Sequence, residues 1–312
     1  MDHDITGLHH VGHLVHDMGE ALELYRRMGF GMPGPAYPGL GEPPEPFGVG
    51  NTHAYFSQGF IELVAAGGRV PADARVIPLR VPAERLPAFT QAVRRTAANL
   101  DDCLRRFEGV HILMFDAPGI EAAAGRLTAQ GVGHGGVHAT QRPIETADGV
   151  RMEPVRYLEI DGVAPGRVPE GRIGLALNAP DSSQGEGHPN GALELAECVL
   201  CVADEELDEV VRRYEAYLGR AADGSGAVRR VGLGGRAQVT LVAATGLDAL
   251  LPGERAAALP GFAAYTVVVR DVTVTGRFLR ERGFSVGRTA AGDVFVPAKE
   301  AAGVAIVFRQ AD

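Results

Sequence analysis

LHHVGHLVHD, residues 8–17, runs straight into MGEALELYRRMGF, residues 18–30, and this stretch decides how the chain is read. Val11, His13 and Val15 fall on one side and His10, Gly12 and Leu14 on the other, the two-residue period of an extended strand. Asp17 then offers a helix N-cap, and Gly29 stands where a left-handed residue ends a helix. The same strand-then-helix pattern returns in VHILMFDAPGIEAAAGRLTAQG at 110–131, AECVLCVADEELDEVVRRYEAYLG at 196–219 and AYTVVVRDVTVTGRFLRERG at 264–283. Four copies of one supersecondary unit mark an internally repeated α+β chain.

Outward from the first copy, NTHAYF and FIELVA predict two strands joined at Ser57-Gln58-Gly59, which completes a β-α-β-β-β unit over 7–66. FGMPGPAYPGLGEPPEPFGVG, between that helix and that hairpin, is too rich in Pro and Gly for a long regular element and reads as a loop bordering a pocket. Over 82–107, Leu86, Phe89, Val93, Ala97, Leu100 and Leu104 recur at steps of three and four, the apolar stripe of a helix. It is expected to connect two units outside the sheet, with Arg94, Arg95, Arg105 and Arg106 on a solvated face. A second unit spans 109–178, with a long hairpin around Thr146-Ala147-Asp148-Gly149 and a final strand RIGLALN.

At 312 residues the chain exceeds one core, and 46% hydrophobic residues are enough for two. The aperiodic stretch NAPDSSQGEGHPNG, residues 178–191, is the expected boundary, giving domains 1–178 and 192–312 with a linker at 179–191. A net charge of −9 offers no basic stripe to phosphates, so nucleic acid is not an expected partner. No apolar run approaches the ~20 residues of a membrane span. Three cysteines without a paired framework fit a reducing compartment, and the expectation is a cytoplasmic protein, monomer or homodimer, acting on a small molecule. Cys198 and Cys201 have C-x-x-C spacing, yet on a strand they point to opposite faces, which argues against a zinc or redox pair.

The repeated β-α-β-β-β units, the histidine early in the first strand and the glutamate in the last, together resemble the vicinal oxygen chelate superfamily. That superfamily includes glyoxalase I, bleomycin-resistance proteins and extradiol dioxygenases. HHVGHLVHD, the GNTHAYF and FIELV hairpin and HPNGA look most like its glyoxalase-like branch with two paired domains. The resemblance implies four βαβββ modules forming two half-barrels, each able to hold a divalent ion (Zn, Fe, Mn, Co or Ni) on its inner face. Carried over residue by residue, it implies the metal ligands His10 and Glu62 from the first unit and His111 from the second, His10 and His111 taking equivalent places. Glu159 in YLEI mimics Glu62 in FIEL and is the fourth candidate, although RIGLALN, which carries no carboxylate, competes with it for the last strand. In the other half, Glu197, Ala264, Thr240 and Val307 stand at the corresponding places, so that half is expected to have lost its metal.

Glu62 on an inner face demands a cation, and a metal, a protonated histidine and an arginine all answer that demand. His53 and Tyr55 are expected to face inward as substrate contacts, and Gln141, Arg142 and Arg156 to crowd the second hairpin. There a guanidinium suits a substrate carboxylate or enolate, and cross-strand pairing is the plainer alternative. Three functions compete. One is a metal-dependent isomerase or lyase working through a stabilised enolate, with Glu62 or Glu159 moving the proton. The others are an extradiol-type dioxygenase and a metal-free protein that sequesters a small molecule or drug.

Overall fold

The structure, a computed structural model, describes residues 3–65, 70–146, 149–177 and 187–312, with only the backbone given at 141–146 and 149–153. Its N-terminal half runs β1 (Gly7–Leu14), α1 (Met18–Arg27), β2 (Ala36–Leu40), β3 (Glu45–Pro46), β4 (Gly50–Tyr55), β5 (Phe60–Ala65), β6 (Arg75–Pro78), α2 (Leu86–Leu104), β7 (Gly109–Asp116), α3 (Ile120–Ala129), β8 (His138–Thr146), β9 (Gly149–Glu159) and β10 (Arg172–Leu177). The C-terminal half runs β11 (Ala192–Val202), α4 (Leu207–Leu218), β12 (Val228–Gly234), β13 (Ala237–Ala243), α5 (Leu247–Leu250), β14 (Gly261–Val269), α6 (Val272–Glu281), β15 (Gly287–Arg288), β16 (Val294–Val296) and β17 (Ala305–Gln310).

Local chemistry sets the element ends. Asp17 caps α1 by accepting from the Glu20 amide at 3.0 Å, and Asp271 caps α6 by accepting from Thr273 and Val274. Gly29, Gly131, Gly219 and Gly283 follow four of the helices at φ of 86°, 74°, 63° and 83°, values that a side chain disfavours. The 30–50 stretch, expected as a loop, forms strands β2 and β3 instead. Pro38 fits there because it needs only to accept, taking the Phe47 amide at 2.7 Å.

Each half is one sheet made of two units set back to back. The first has the order β3-β2-β4-β5-β1-β7-β10-β9-β8, with β6 beside β2, and the second has β12-β13-β11-β14-β17-β16-β15. The third unit has two strands after its helix where the others have three or more. In the first sheet β1 and β7 meet antiparallel, with Val11 opposite Leu113. Leu8 faces Phe115 and His10 faces Met114, so His9 bulges from β1; Gly12 faces Ile112 and His13 faces Val110, so His111 bulges from β7. A half-turn about the Val11–Leu113 pair therefore carries His9 onto His111 and His10 onto Ile112. The expected equivalence of His10 with His111 is off by one residue.

One face of both sheets shares a single apolar core with α1, α3, α4 and α6, containing Val11, Leu113, Cys198 and Tyr265. A buried hydrogen-bond chain crosses it. The Ala302 carbonyl can only accept, so His13 Nε2 donates to it at 2.6 Å. His13 Nδ1 then accepts from the Tyr25 hydroxyl at 2.7 Å, and Tyr25 accepts from Tyr265 at 2.9 Å. Cys201 lies in a different cluster from Cys198, on the opposite face, as alternation requires.

On its other face the first sheet is concave, and α2 lies across it. Leu100 and Cys103 of α2 pack on Leu14, Val64, Ile112, Met114 and Ala176. The connecting helix thus plugs the half-barrel rather than sitting outside the sheet, because the stripe that buries is its C-terminal end; Leu86 at the other end is 39% exposed. Arg106 is half-buried, donating to the carbonyls of Pro169 and Pro260. In the second half Leu247 and Leu251 cover the corresponding face against Val199, Val242 and Val307. No helix among the described residues is long and apolar enough to cross a membrane.

Candidate functional site at the polar end of the N-terminal half-barrel

Beyond the plug, the concave face turns polar. Alternation on three neighbouring strands sends His10 of β1, Asn51, His53 and Tyr55 of β4, and Phe60 and Glu62 of β5 to the same side. The Phe60 ring is the floor: His10 stacks on it at 4.5 Å between centroids, and His53 and Tyr55 lie 5.2 Å away. Glu62 stands at the centre. Asn51 Nδ2 donates to its Oε1 at 2.8 Å, His53 Nε2 lies 3.6 Å from the same oxygen, and His10 Nε2 lies 3.6 Å from Oε2. The second ring nitrogen of His10, Nδ1, is 2.7 Å from His9 Nδ1.

Burial alone would push the Glu62 carboxyl up, but His53, His10 and the Asn51 amide more than offset it and bring it down to about 2. His10 goes the other way. Burial first, and then the neighbouring His9, hold it well below the ordinary histidine value against the pull of Glu62, so it is neutral at pH 7. Both side chains keep about 15% of their surface open to solvent.

The second unit completes the face differently. β10, not β9, is its fourth strand, lying between β7 and β9, which settles the rivalry over Glu159: that residue ends the third strand. The half-turn that relates the units carries Glu62 onto Gly174 and His53 onto Glu159. Gly174 has no room for a side chain, since a Cβ there would stand 2.3 Å from the Leu158 carbonyl and 2.9 Å from Met114 Cε. Arg172, two residues earlier, pairs its guanidinium with Glu159.

His111 is turned elsewhere. It lies against the Phe107 ring at 4.2 Å, donates Nε2 to the Phe107 carbonyl at 2.9 Å, and is lowered to about 4 by burial. Arg156 pairs with Glu121 of α3, away from the site. Gln141 and Arg142 have side chains outside the described residues. The structure therefore brings together His10, His53, Tyr55 and Glu62 from the first unit with Glu159 from the second, and leaves out His111 and Arg156.

A family profile described as a glyoxalase-like domain matches residues 8–218, more than half of the chain. The chain belongs to the glyoxalase-like family. It is a member of the vicinal oxygen chelate superfamily, and its solved structural neighbours agree. A substituted variant of 4-hydroxymandelate synthase from Streptomyces coelicolor superposes with a TM-score of 0.61 at 14% identity, covering 99% of this chain and 93% of that one. The Mn(II)-bound glyoxalase from Novosphingobium aromaticivorans gives 0.56 at 11%, covering 99% and 83%. A hypothetical protein from Staphylococcus aureus gives 0.58 at 9%, covering 97% and 99%. At these identities the likeness is one of fold. No curated protein matches the chain.

A divalent ion of the kind this glyoxalase-like fold implies needs donors from both units. Here the places related by the half-turn are His10 and Glu62 in the first unit but Ile112 and Gly174 in the second. His10 and His53 approach different oxygens of Glu62, and among the described residues no three His, Cys, Asp or Glu side chains converge as a metal site. The residues present do not fit the implied ion. Asn51, His9 and Arg172 belong to the site and were missed in the sequence. Asn51 was findable, since it shares the face of His53 two residues on.

Proposed function

We propose that this glyoxalase-like chain is an enzyme that moves a proton on a small oxygen-bearing substrate, next to a carbonyl, with its own side chains. The observation that carries this reading is a neutral, partly open imidazole, His10 Nε2, 3.6 Å from a firmly ionised carboxylate, Glu62. At pH 7 a neutral imidazole has its ring nitrogen free to accept a proton from a bound substrate, and the carboxylate stabilises the imidazolium that results. Phe60 and Tyr55 supply flat walls for a small planar molecule, and Arg172 supplies positive charge for an oxygen that becomes negative as the carbon loses its proton. Returning the proton to the neighbouring carbon or oxygen makes the net reaction an isomerisation. The metal-dependent lyase or isomerase form and catechol ring cleavage both ask for convergent donors that the described residues do not supply.

A second reading, a binding protein without chemistry, is favoured by the α2 plug, which leaves only the shallow polar end of the half-barrel open. Proton NMR in D2O with a panel of 2-oxo and 2-hydroxy carbonyl compounds separates the two. The enzyme reading expects a substrate whose proton next to the carbonyl exchanges with the wild type and at least 100-fold more slowly with His10→Gln or Glu62→Gln, in line with the roughly 10²–10⁴ a general base contributes. Saturable binding of panel members with no exchange makes the chain a binding protein.

A further inference from the structure

We infer that the Arg172 guanidinium is the resident cation of the N-terminal half-barrel, standing in for the divalent ion that the fold implies and making the site metal-free. The inference rests on the location of the site given above and not on the proton chemistry proposed for it.

The argument starts from charge. Two carboxylates, Glu62 of one unit and Glu159 of the other, lie on one concave face with 15% and 23% of their side chains exposed. Two anions sharing a partly buried surface need a cation. Arg172 comes from the last strand of the second unit, two residues before the glycine that has taken the place of a ligand. It pairs directly with Glu159, and both Glu159 and Glu62 hold its charge against burial. Met114 fills the space a side chain at 174 would use, so the second half-site is occupied by apolar atoms and one guanidinium.

The C-terminal half-barrel also meets an inner-face carboxylate with an arginine, at another register: Ala305 stands in the place of Arg172, and Arg309 lies four residues further along β17. There the register puts Glu197 in the place of His10 and Thr240 in the place of Glu62. The carboxylate of Glu197 is again met by an arginine from the last strand of the second unit, Arg309 of β17, at 2.7 Å. Both half-barrels thus answer the charge of their inner face with a guanidinium from the same strand of the repeat. A guanidinium matches a carboxylate with two parallel donors, is always charged, and needs no ion from solution.

The test is calorimetric titration of the full chain with Mn(II), Zn(II) and Ni(II), using protein purified without chelator and checked by elemental analysis. Wild type is expected to carry no stoichiometric metal and to bind none of the three in the micromolar range. Arg172→Met, with its fold checked by circular dichroism, leaves Glu62, Glu159 and His10 without their cation and is expected to bind at least one ion at one per chain, at least tenfold more tightly than wild type. Adding Glu159→Gln is expected to abolish that gain, and Arg172→Lys, which keeps the charge, to behave as wild type. One tightly held ion per wild-type chain, lost in His10→Ala, would overturn the inference, as would an Arg172→Met protein that folds and gains nothing. Neither result bears on proton exchange, which the NMR assay reads separately.

Discussion

Arg309→Met is expected to cost the protein about 3–5 kcal/mol, the range found when one partner of a buried ion pair is removed and the other stays. Glu197 is 5% exposed on the inner face of the C-terminal sheet. Its Oε1 accepts from Gln238 at 2.9 Å and from Thr240, and its Oε2 accepts from Thr266 at 3.3 Å and Arg309 at 2.7 Å. Arg309 also donates to Asp293 at 3.0 Å, so one guanidinium serves two carboxylates. Burial alone would lower the Arg309 value, yet Glu197 and Asp293 raise it, which shows the direction of the coupling. Methionine keeps the bulk and leaves two anions under an apolar cover with only neutral donors. The double variant Glu197→Gln with Arg309→Met is expected to recover more than half of the loss, because the amide still bonds the threonines and carries no charge. Urea denaturation of the four proteins of this cycle measures it. A loss below 1 kcal/mol in the single variant would show that the network is solvated and contributes little.

The second large effect is acid lability in a window set by histidines. His13 and His111 are both lowered from 6.5 to about 4, burial being the leading cause in each, and His10 is lowered as well. In the unfolded chain these rings take up protons near pH 6.5, whereas in the native chain His13 and His111 stay neutral until about pH 4. Their contribution is therefore complete above pH 6.5 and falls away as the pH drops towards 4, by up to about 3 kcal/mol for each of those two. Glu62 acts later. Its native value of about 2 lies below the unfolded 4.5, so its contribution is lost between pH 4.5 and 2. Denaturation at pH 8, 6 and 4.5 is expected to show two to four protons taken up on unfolding within the upper window, since burial lowers His188 as well. In His13→Phe the slope is expected to fall by about one proton. That variant also starts from lower stability at pH 8, since the Ala302 carbonyl and the Tyr25 hydroxyl lose their shared partner. An unchanged slope would mean that His13 is already charged in the native protein.

The two effects have one origin. Folding buries polar groups both on the inner faces and in the core between the sheets, and each must find a partner within the chain or remain neutral. Where an arginine arrives from the last strand, as at Arg172 and Arg309, it pairs directly with the carboxylate. Where none arrives, as at His13 and His111, the imidazole is held neutral by burial and bonds a backbone carbonyl.

Much of this was written locally in the chain. Period-two alternation, Asp17 as a cap, the glycines at 29, 131, 219 and 283, and the opposed faces of Cys198 and Cys201 all depend on neighbours a few residues apart, and a sequence displays such neighbours directly. The repeat followed from those signals, and the glyoxalase-like architecture was what the resemblance of that repeat to a known superfamily implied. So did the loss of ligand types at Glu197, Thr240 and Val307, which the register of the C-terminal sheet keeps in the expected places, whereas Ala264 falls in the place of Ile112 and Ala263 in that of His111. The pairing of His111 with His9 is legible in the sequence too. Gly29 follows His9 by the same interval as Gly131 follows His111, so counting from the helix stops rather than from the imidazoles pairs His111 with His9.

What the chain could not display is which strands lie side by side and where a strand bulges. A bulge adds one residue without changing composition and reverses the face of everything beyond it, so the second unit's inner face became Ile112 and Met114 instead of His111. β10 slots between β7 and β9 through contacts made far along the chain, which moves Glu159 off the ligand strand and puts Arg172 at the site. The apolar end of α2 was visible as a stripe, but only packing decided that it plugs the concave face. Identity and alternation are local properties of a sequence, whereas the convergence of charges is set by long-range register, and only the folded sheet fixes that.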